Sequence, residues 1–428
     1  MTFRRIAALV FVLPVAMAAC TGGKPSAEHP ASPAATAPSQ MLVLDRGSGV
    51  VAIDPATGSL MFSGGALTPL PDWSKAFTAS ASSGSTDVKE IDPATGATLT
   101  SVQVQGSYDV GAVAADGDSV ALVPPAPPSS PPGGEPWTPV DRSSTTIVVA
   151  HPGDPSGSSE RYRLHGNYAP EAFSTDGSGL LMLQYLPPVD PVSYRVVRLE
   201  LDKGKVEELY GRTKGAQPMG PMSGTRLQQV PAPDGSRLYT LYTDQPADYG
   251  KEYSEYASKG HGPVAFVHTL DLQNSWAYCV DLPRAFGPGE SEAKAIAISS
   301  DGSRLYAIDA DRGLIAAMDT QSLKVVGVAH VDLGVGGSGQ TVASVSADGG
   351  TLYVGRGSRV AELRLEDMKV SDRWSLGGDA TGLATSSDRL YATTPGAVRI
   401  LNPDTGAQIR TVPVSGITGI AYLGTISG

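Results

Sequence analysis

The sequence predicts an all-β chain: a β-propeller of eight four-stranded blades, with seven as the alternative, its ring closed by N- and C-terminal strands. Three observations lead there. Seven times a short apolar run ends in an acidic turn and restarts as a strand, at Pro71-Asp72-Trp73, Ala115-Asp116-Gly117, Thr175-Asp176-Gly177, Pro233-Asp234-Gly235, Ser300-Asp301-Gly302, Ala347-Asp348-Gly349 and Ser387-Asp388-Arg389. A second turn closes each unit, as in Asp54-Pro55-Ala56-Thr57-Gly58, Asp92-Pro93-Ala94-Thr95-Gly96, Asp154-Pro155-Ser156-Gly157 and Asn402-Pro403-Asp404-Thr405-Gly406. The last apolar run, 416–423, stands alone and needs the strands of 41–64 to complete a blade. A period of about 48 residues fits propeller repeats with some insertions, and a one-plus-three closure removes free sheet edges.

Taken in order, the chain begins with Arg4 and Arg5, an apolar run from Ile6 to Ala16, and Met17-Ala18-Ala19-Cys20. The run is shorter than the roughly 20 residues a membrane-crossing helix requires, and its charged start and small-residue end fit a secretory signal. The last four residues resemble the bacterial lipobox, with Met17 in place of the commoner Leu. That resemblance implies cleavage after residue 19, lipidation of Cys20 and a protein held on the outer side of the cell membrane. The expected organisation is therefore a signal peptide at 1–19, a Pro/Ala/Ser-rich tether at 20–40 and the propeller at 41–428. The formal charge of −11 becomes two units more negative once Arg4 and Arg5 are removed. Such a balance, without clustered Lys and Arg, argues against nucleic acid as a partner. Only Cys279 remains after lipidation, so no disulfide within the chain is expected.

Within the propeller the clearest unit runs from Ala295 to Val328. Its strands are separated by Asp301-Gly302 and by the turn from Asp319 to Ser322. Gly accepts positive φ in such turns, and Asp bonds the backbone two residues on. First strands are short and built from small residues, as in Ala343-Ser344-Val345 and Gly382-Leu383-Ala384, which suits close approach around an axis. Units such as Asp301-Gly302-Ser303-Arg304-Leu305-Tyr306 and Val398 through Gly406 resemble the YVTN-type propeller repeat, the broad group that includes lactonase-like and surface-layer propellers. The resemblance covers nearly all of 41–428. It implies architecture and favours binding over catalysis, and it carries no catalytic residue onto this chain.

Three consecutive units are enlarged, all between their second and third strands, at 124–139, 186–193 and 243–262. Because strands alternate in direction, these loops share a face with the inter-blade joints, opposite the Asp turns. Loops on a rigid scaffold are where binding usually resides. The first insertion is proline-rich with Trp137 near its end, and reads either as a stiff extended segment or as a disordered loop. The third interleaves Tyr249, Tyr253 and Tyr256 with charged residues, the composition of a recognition surface or of a short helix over a blade edge. Joints on the same face supply Tyr108, Asp109, His165, Tyr168, Glu171 and Arg226 as candidates around the channel mouth.

The six histidines show no paired metal-ligand spacing, and no metal or cofactor is expected. His268 reads as the end of a strand from Val264, and Cys279 in Trp276-Ala277-Tyr278-Cys279-Val280 as a buried thiol. No catalytic residues emerge, since Gly-x-Ser-x-Gly and phosphate-loop contexts are missing. The function expected is thus a membrane-tethered, extracytoplasmic binding protein whose partner is a protein, a peptide or a cell-wall glycan. The alternative is a hydrolase or lyase acting in the central channel. A quinone-dependent dehydrogenase is a poor fit, because its tryptophan-docking repeats are absent and the chain has only four Trp.

Overall fold

A computed structural model describes residues 40–47, 49–125, 140–212, 220–246 and 264–425. Residues 38–428 form one compact unit. Eight antiparallel sheets follow one another along the chain, so the ring has eight blades rather than seven. Blade 1 is the seam: Gln40–Arg46, Gly49–Ile53 and Leu60–Gly64 supply three strands, and Ile417–Thr425 pairs antiparallel with Gln40–Arg46 as the innermost fourth. Trp73 of blade 2 stacks on Tyr422 of that returning strand at 5.4 Å between ring centroids, so the closing strand is also tied to the next blade.

Six of the seven turns between first and second strands use the Asp as expected. In these the carboxylate accepts the backbone N–H two residues on, at 3.0 Å in Asp72, Asp116, Asp234, Asp301 and Asp348 and 3.1 Å in Asp176; Asp388 instead accepts the Ser386 hydroxyl at 3.2 Å. At the closing turns, Asp54, Asp92, Asp154 and Asn402 accept the N–H two residues on, and Asp319 that of Ser322. These local bonds fix where each strand ends and, with the apolar pattern, set register.

The core is divided among the joints. Eight hydrophobic clusters each lie between two neighbouring blades. The cluster between blades 6 and 7 consists of Ile308, Ile315, Leu352, Val354, Leu363 and similar side chains, nearly all fully buried. No disulfide is needed where so much apolar surface leaves water at about 25 cal/mol per Å².

Two features depart from uniform repetition. The innermost strands of blades 3, 4 and 5 (Asp109–Val113, Asn167–Phe173, Thr225–Pro231) each carry a one-residue bulge, at Gly111, Glu171 and Leu227. Those of blades 6, 7 and 8 (Lys294–Ile298, Val342–Val345, Gly382–Thr385) pair without interruption. The connection from blade 4 to blade 5 is also long. Along it, Tyr210–Gly211 runs parallel to Trp276–Asp281 as a fifth strand on blade 5, and Met222 makes a two-bond bridge with Tyr194 of blade 4.

Candidate functional site

The face bearing the joints is uneven, and its relief follows from strand ends. In blade 7 only Gly357 and Ser358 separate the second strand (Thr351–Arg356) from the third (Arg359–Arg364). In blade 3 the second strand ends at Val123 and the third starts at Ser144; in blade 4 the ends are Leu186 and Ser193, and in blade 5 Gln245 and Val264. The three insertions therefore leave and rejoin three consecutive blades, 3 to 5, between second and third strands, as the sequence expects. Trp137, Tyr249, Tyr253 and Tyr256 fall outside the described residues, as does Cys20.

The described part of this relief is held in place by polar contacts. Pro188 O accepts the Arg142 N–H at 3.1 Å, and Asp141 Oδ1 accepts the Asp190 N–H at 2.9 Å. Buried Asn167, at the joint itself, donates through Nδ2 to the carbonyl oxygens of Val140 and of Pro188, the latter at 3.1 Å. The Arg142 guanidinium reaches back to Pro124 O at 2.6 Å and Pro125 O at 3.1 Å. The described flanks of insertion one, 124–125 and 140–142, thus form one ledge with insertion two. At its tip Val189 and Val192 are 47% and 75% exposed. The base of the third insertion is likewise pinned: Gln245 Oε1 accepts the Ser223 N–H at 3.3 Å, and Ser291 Oγ donates to Asp244 Oδ2 at 2.7 Å.

The six residues expected around an open channel mouth are mostly drawn into the joints. Tyr108 and Tyr168 are buried and occupy equivalent places. In each joint a Gly-x-Tyr segment (Gly106 to Tyr108, Gly166 to Tyr168) meets a buried Thr, Thr86 or Thr145. The Thr hydroxyl donates to the Gly carbonyl and accepts the Tyr N–H, at 2.8 and 3.0 Å in the first joint and 2.9 and 3.1 Å in the second. The tyrosine ring folds over its own glycine, which has positive φ and where a Cβ would lie 2.5 or 2.9 Å from the ring. Arg161 stands over the Tyr108 ring at 5.6 Å and donates to its hydroxyl. His165 is exposed at the end of the outermost strand of blade 3, Ser159–His165, away from the axis. Asp109 is exposed at the start of an innermost strand; burial raises its pKa, and Arg142 opposes that rise.

Glu171 and Arg226 are brought together, but inside the protein. The bulge in blade 4 turns Glu171 into the joint with blade 5, where its two carboxylate oxygens accept Arg226 Nη1 and Nη2 at 2.6 and 2.8 Å. Both side chains are nearly inaccessible, at 7% and 5%. Burial alone would lower the Arg226 pKa; the Glu171 carboxylate more than offsets this and the net shift is upward. Around the pair stands an aromatic column. Tyr185 meets Tyr194 at 6.2 Å, Tyr194 meets Tyr242 at 5.4 Å, and Tyr242 stacks on Phe266 at 5.1 Å. Burial pushes the Tyr185 hydroxyl up to about 12.

A cluster that the sequence reading missed lies farther round the same face. Lys294, fully buried, begins the innermost strand of blade 6 opposite Asp309, and its Nζ donates to Gly289 O at 3.2 Å and Glu290 O at 3.0 Å. Burial lowers its pKa. Buried Arg356 of blade 7 reaches Glu290 at 3.1 Å and Asp311 at 3.4 Å. Lys294 therefore holds the blade 5 to 6 connection to blade 6, and Arg356 holds it to blade 7. The only sequence trace is a lysine abutting an Ala-Ile-Ala-Ile run. On the opposite face a pocket of about 460 Å³ is lined by Asp118, His151, Gly153, Asp154 and Ser158, whose polar groups largely satisfy one another. Among the described residues no three His, Cys, Asp or Glu side chains gather as a metal site.

Neither a family model nor a curated protein matches the chain. Solved structures do. Citrobacter koseri AztD superposes with a TM-score of 0.54 at 11% identity, over 92% of this chain and 100% of that one. The dihydro-heme d1 dehydrogenase NirN in complex with DHE gives 0.53 at 11% identity, over 93% and 78% respectively. What this chain shares with both is the eight-bladed propeller fold.

Proposed function

We propose that this protein is an extracytoplasmic binding propeller, tethered to the cell membrane through lipidated Cys20, which captures a protein or peptide on the ledge of blades 3 to 5. The observation that carries the reading is the pairing of exposed apolar tips with an immobilised base. Val189 and Val192 stand in water on a loop whose backbone is fixed by Asp141, Arg142 and Asn167. Exposed apolar side chains on a pre-ordered loop favour association, because little conformational entropy remains to be lost on binding. Trp137 belongs to the first insertion and the tyrosines at 249, 253 and 256 to the third, on the blades that flank blade 4. The channel-hydrolase alternative has less support, since four of the six mouth candidates pack within joints instead of converging on a reacting centre.

Two variants test the halves of this reading separately. Cys20→Ala is expected to move the protein from membrane to soluble fractions with its melting temperature unchanged; retention on membranes after a high-salt wash would remove the tether. Tyr249, Tyr253 and Tyr256 changed together to Ser should abolish capture of the partner from cell-envelope extract, each large contact residue being worth about 2 kcal/mol. Equal recovery by parent and variant would exclude the tyrosine insertion. Recovery of glycan in place of protein would reassign the ligand class.

A further inference from the structure

The joint between blades 4 and 5 contains three donor side chains that the docking face does not use. Cys279, on the outer part of blade 5, lies directly opposite His268 in the antiparallel pair formed by Val264–Asp271 and Trp276–Asp281. Directly paired residues project to the same side of a sheet with Cβ atoms about 5 Å apart. That side faces blade 4, since Phe266, Leu270 and Ala277 in the same alternation belong to the blade 4–5 cluster. Met222, pinned by its bridge to Tyr194, brings its Sδ to 3.7 Å from Cys279 Sγ. His268 is 4% exposed, and its Nε2 is buried without a hydrogen-bond partner. A buried polar atom left unpaired is costly and calls for a reason.

We propose that Met222, His268 and Cys279 form a binding site for a single soft monovalent metal ion, of which Cu(I) is the biological representative. One thiol, one thioether and one imidazole are the donors that soft copper prefers over hard cations. The sulfur spacing fits: with metal–sulfur bonds of about 2.3 Å, a 3.7 Å separation corresponds to an S–metal–S angle of about 107°. Three donors suit a low-coordinate ion, whereas structural zinc takes four. Of the carboxylates nearby, Glu171 is engaged on both oxygens by Arg226, and Asp281, two residues from Cys279 along the strand, acts on the thiol through its charge.

Charge balance selects the oxidation state. On binding, the Cys279 S–H bond breaks, its proton leaves to solvent, and the thiolate forms a bond to the metal. A +1 ion thereby replaces a +1 proton, and the net charge of the joint does not change. A divalent ion would leave an extra positive charge buried next to Arg226, which is costly. Burial also favours the ligand form of His268: desolvation, with Arg226 adding to it, lowers its pKa to about 3, so the imidazole is neutral at physiological pH. Tyr242 closes one side, its ring edge-on to His268 at 6.3 Å. The site lies inside a joint and stands or falls independently of the docking ledge.

The test uses the full-length chain carrying Cys20→Ala, so that Cys279 is its sole cysteine. Under anaerobic conditions Cu(I) is supplied as its bicinchoninate complex. The protein is expected to withdraw one equivalent, and X-ray absorption on that sample should show two sulfur atoms and one nitrogen around copper. Met222→Leu and Cys279→Ser should each weaken retention at least tenfold, and Zn(II) should not displace the copper. Copper left on the bicinchoninate, or a coordination shell of nitrogen and oxygen alone, would overturn the proposal. The absorption measurement needs no variant, so a Met222 or Cys279 variant that fails to fold does not shield the proposal from a negative result.

Discussion

Blades 3 to 5 and blades 6 to 8 use the same four-strand unit for different ends. In blades 6 to 8 the innermost strands pair without a bulge, blades 7 and 8 turn between second and third strands in two residues, and the cluster between 6 and 7 is aliphatic apart from Tyr306 and Met368. Blades 3 to 5 bulge at the axis, extend their loops on one face, and bury an ion pair, tyrosines and a histidine beside a half-buried thiol in the joint between 4 and 5. Bulges bend a strand and re-aim its side chains, and they cluster near functional sites. Blades 6 and 7 also bury charge, at Lys294 and Arg356, but both hold the incoming connection from blade 5. The contrast teaches that an apolar joint can close the ring, and that the polar cost in the joint between blades 4 and 5 serves something other than closure.

If that contrast is real, the two halves should respond differently to substitution. The largest effect is expected at the buried pair. Glu171→Ala leaves Arg226 charged in the joint and should cost about 3–5 kcal/mol in urea unfolding, whereas replacing both by apolar residues, Glu171→Leu with Arg226→Met, should recover most of it. A double variant as unstable as the single one would mean that the pair is needed to hold the joint together. A smaller effect separates two glycines. At Gly111, the bulge of blade 3, a Cβ would sit 2.9 Å from Pro170 of blade 4, so Gly111→Ala should cost about 1–3 kcal/mol. Gly327, on the outer strand of blade 6, has open space and no positive φ, so Gly327→Ala should be neutral or stabilising by up to about 1 kcal/mol. Equal costs at both sites would erase the distinction between the halves.

A third difference is in pH dependence. His268 is held neutral in the folded protein, with its pKa lowered from 6.5 to about 3, first by burial and then by Arg226. Unfolding lets it take up a proton. Stability should therefore fall as pH drops below about 6.5 and continue falling towards 3. Arg226 keeps its charge and Cys279, whose thiol burial pushes up, stays protonated, so neither facing group titrates in this window. The turn carboxylates Asp176, Asp301 and Asp319, lowered to about 2 chiefly by hydrogen bonds from Ser hydroxyls and backbone N–H groups, lose their contribution only below 3.8. Between pH 7 and 4.5 the carboxyls of Asp45, Asp109, Asp309 and Glu362, raised by burial, oppose this trend, so the joint is read as the part of the slope that a His268 variant removes. His268→Phe should flatten that slope, and an unchanged slope would assign it elsewhere.

The ring, the seam and the location of the insertions were legible in the sequence because each rests on local chemistry. Asp-x-Ser and Asp-Gly turns bond themselves, so their spacing reports strand ends directly. The lone strand after Gly416 needed a partner and found it at Gln40–Arg46. The site was less legible. Glu171 and Arg226 lie on different blades, and what joins them is a one-residue bulge that leaves no mark in composition. Tyr108 and Tyr168 read as exposed joint residues because polar tips near Gly resemble a loop; their rings instead cover the glycines. Lys294 stands one residue ahead of the apolar run from Ala295 and gives no signal of its own, yet it is fully buried and donates to neighbouring backbone carbonyls.

The most direct test of the difference in purpose compares one position of the repeat in both halves. A photo-crosslinking amino acid placed at Val192, in the loop between second and third strands of blade 4, and at Ser358, in the equivalent loop of blade 7, samples the same face in intact cells. Both positions are exposed, and substitution there should change stability by less than about 0.5 kcal/mol. The account predicts a discrete crosslinked partner from position 192 and none from position 358. The same adduct from both positions, or an adduct from position 358 alone, would contradict it.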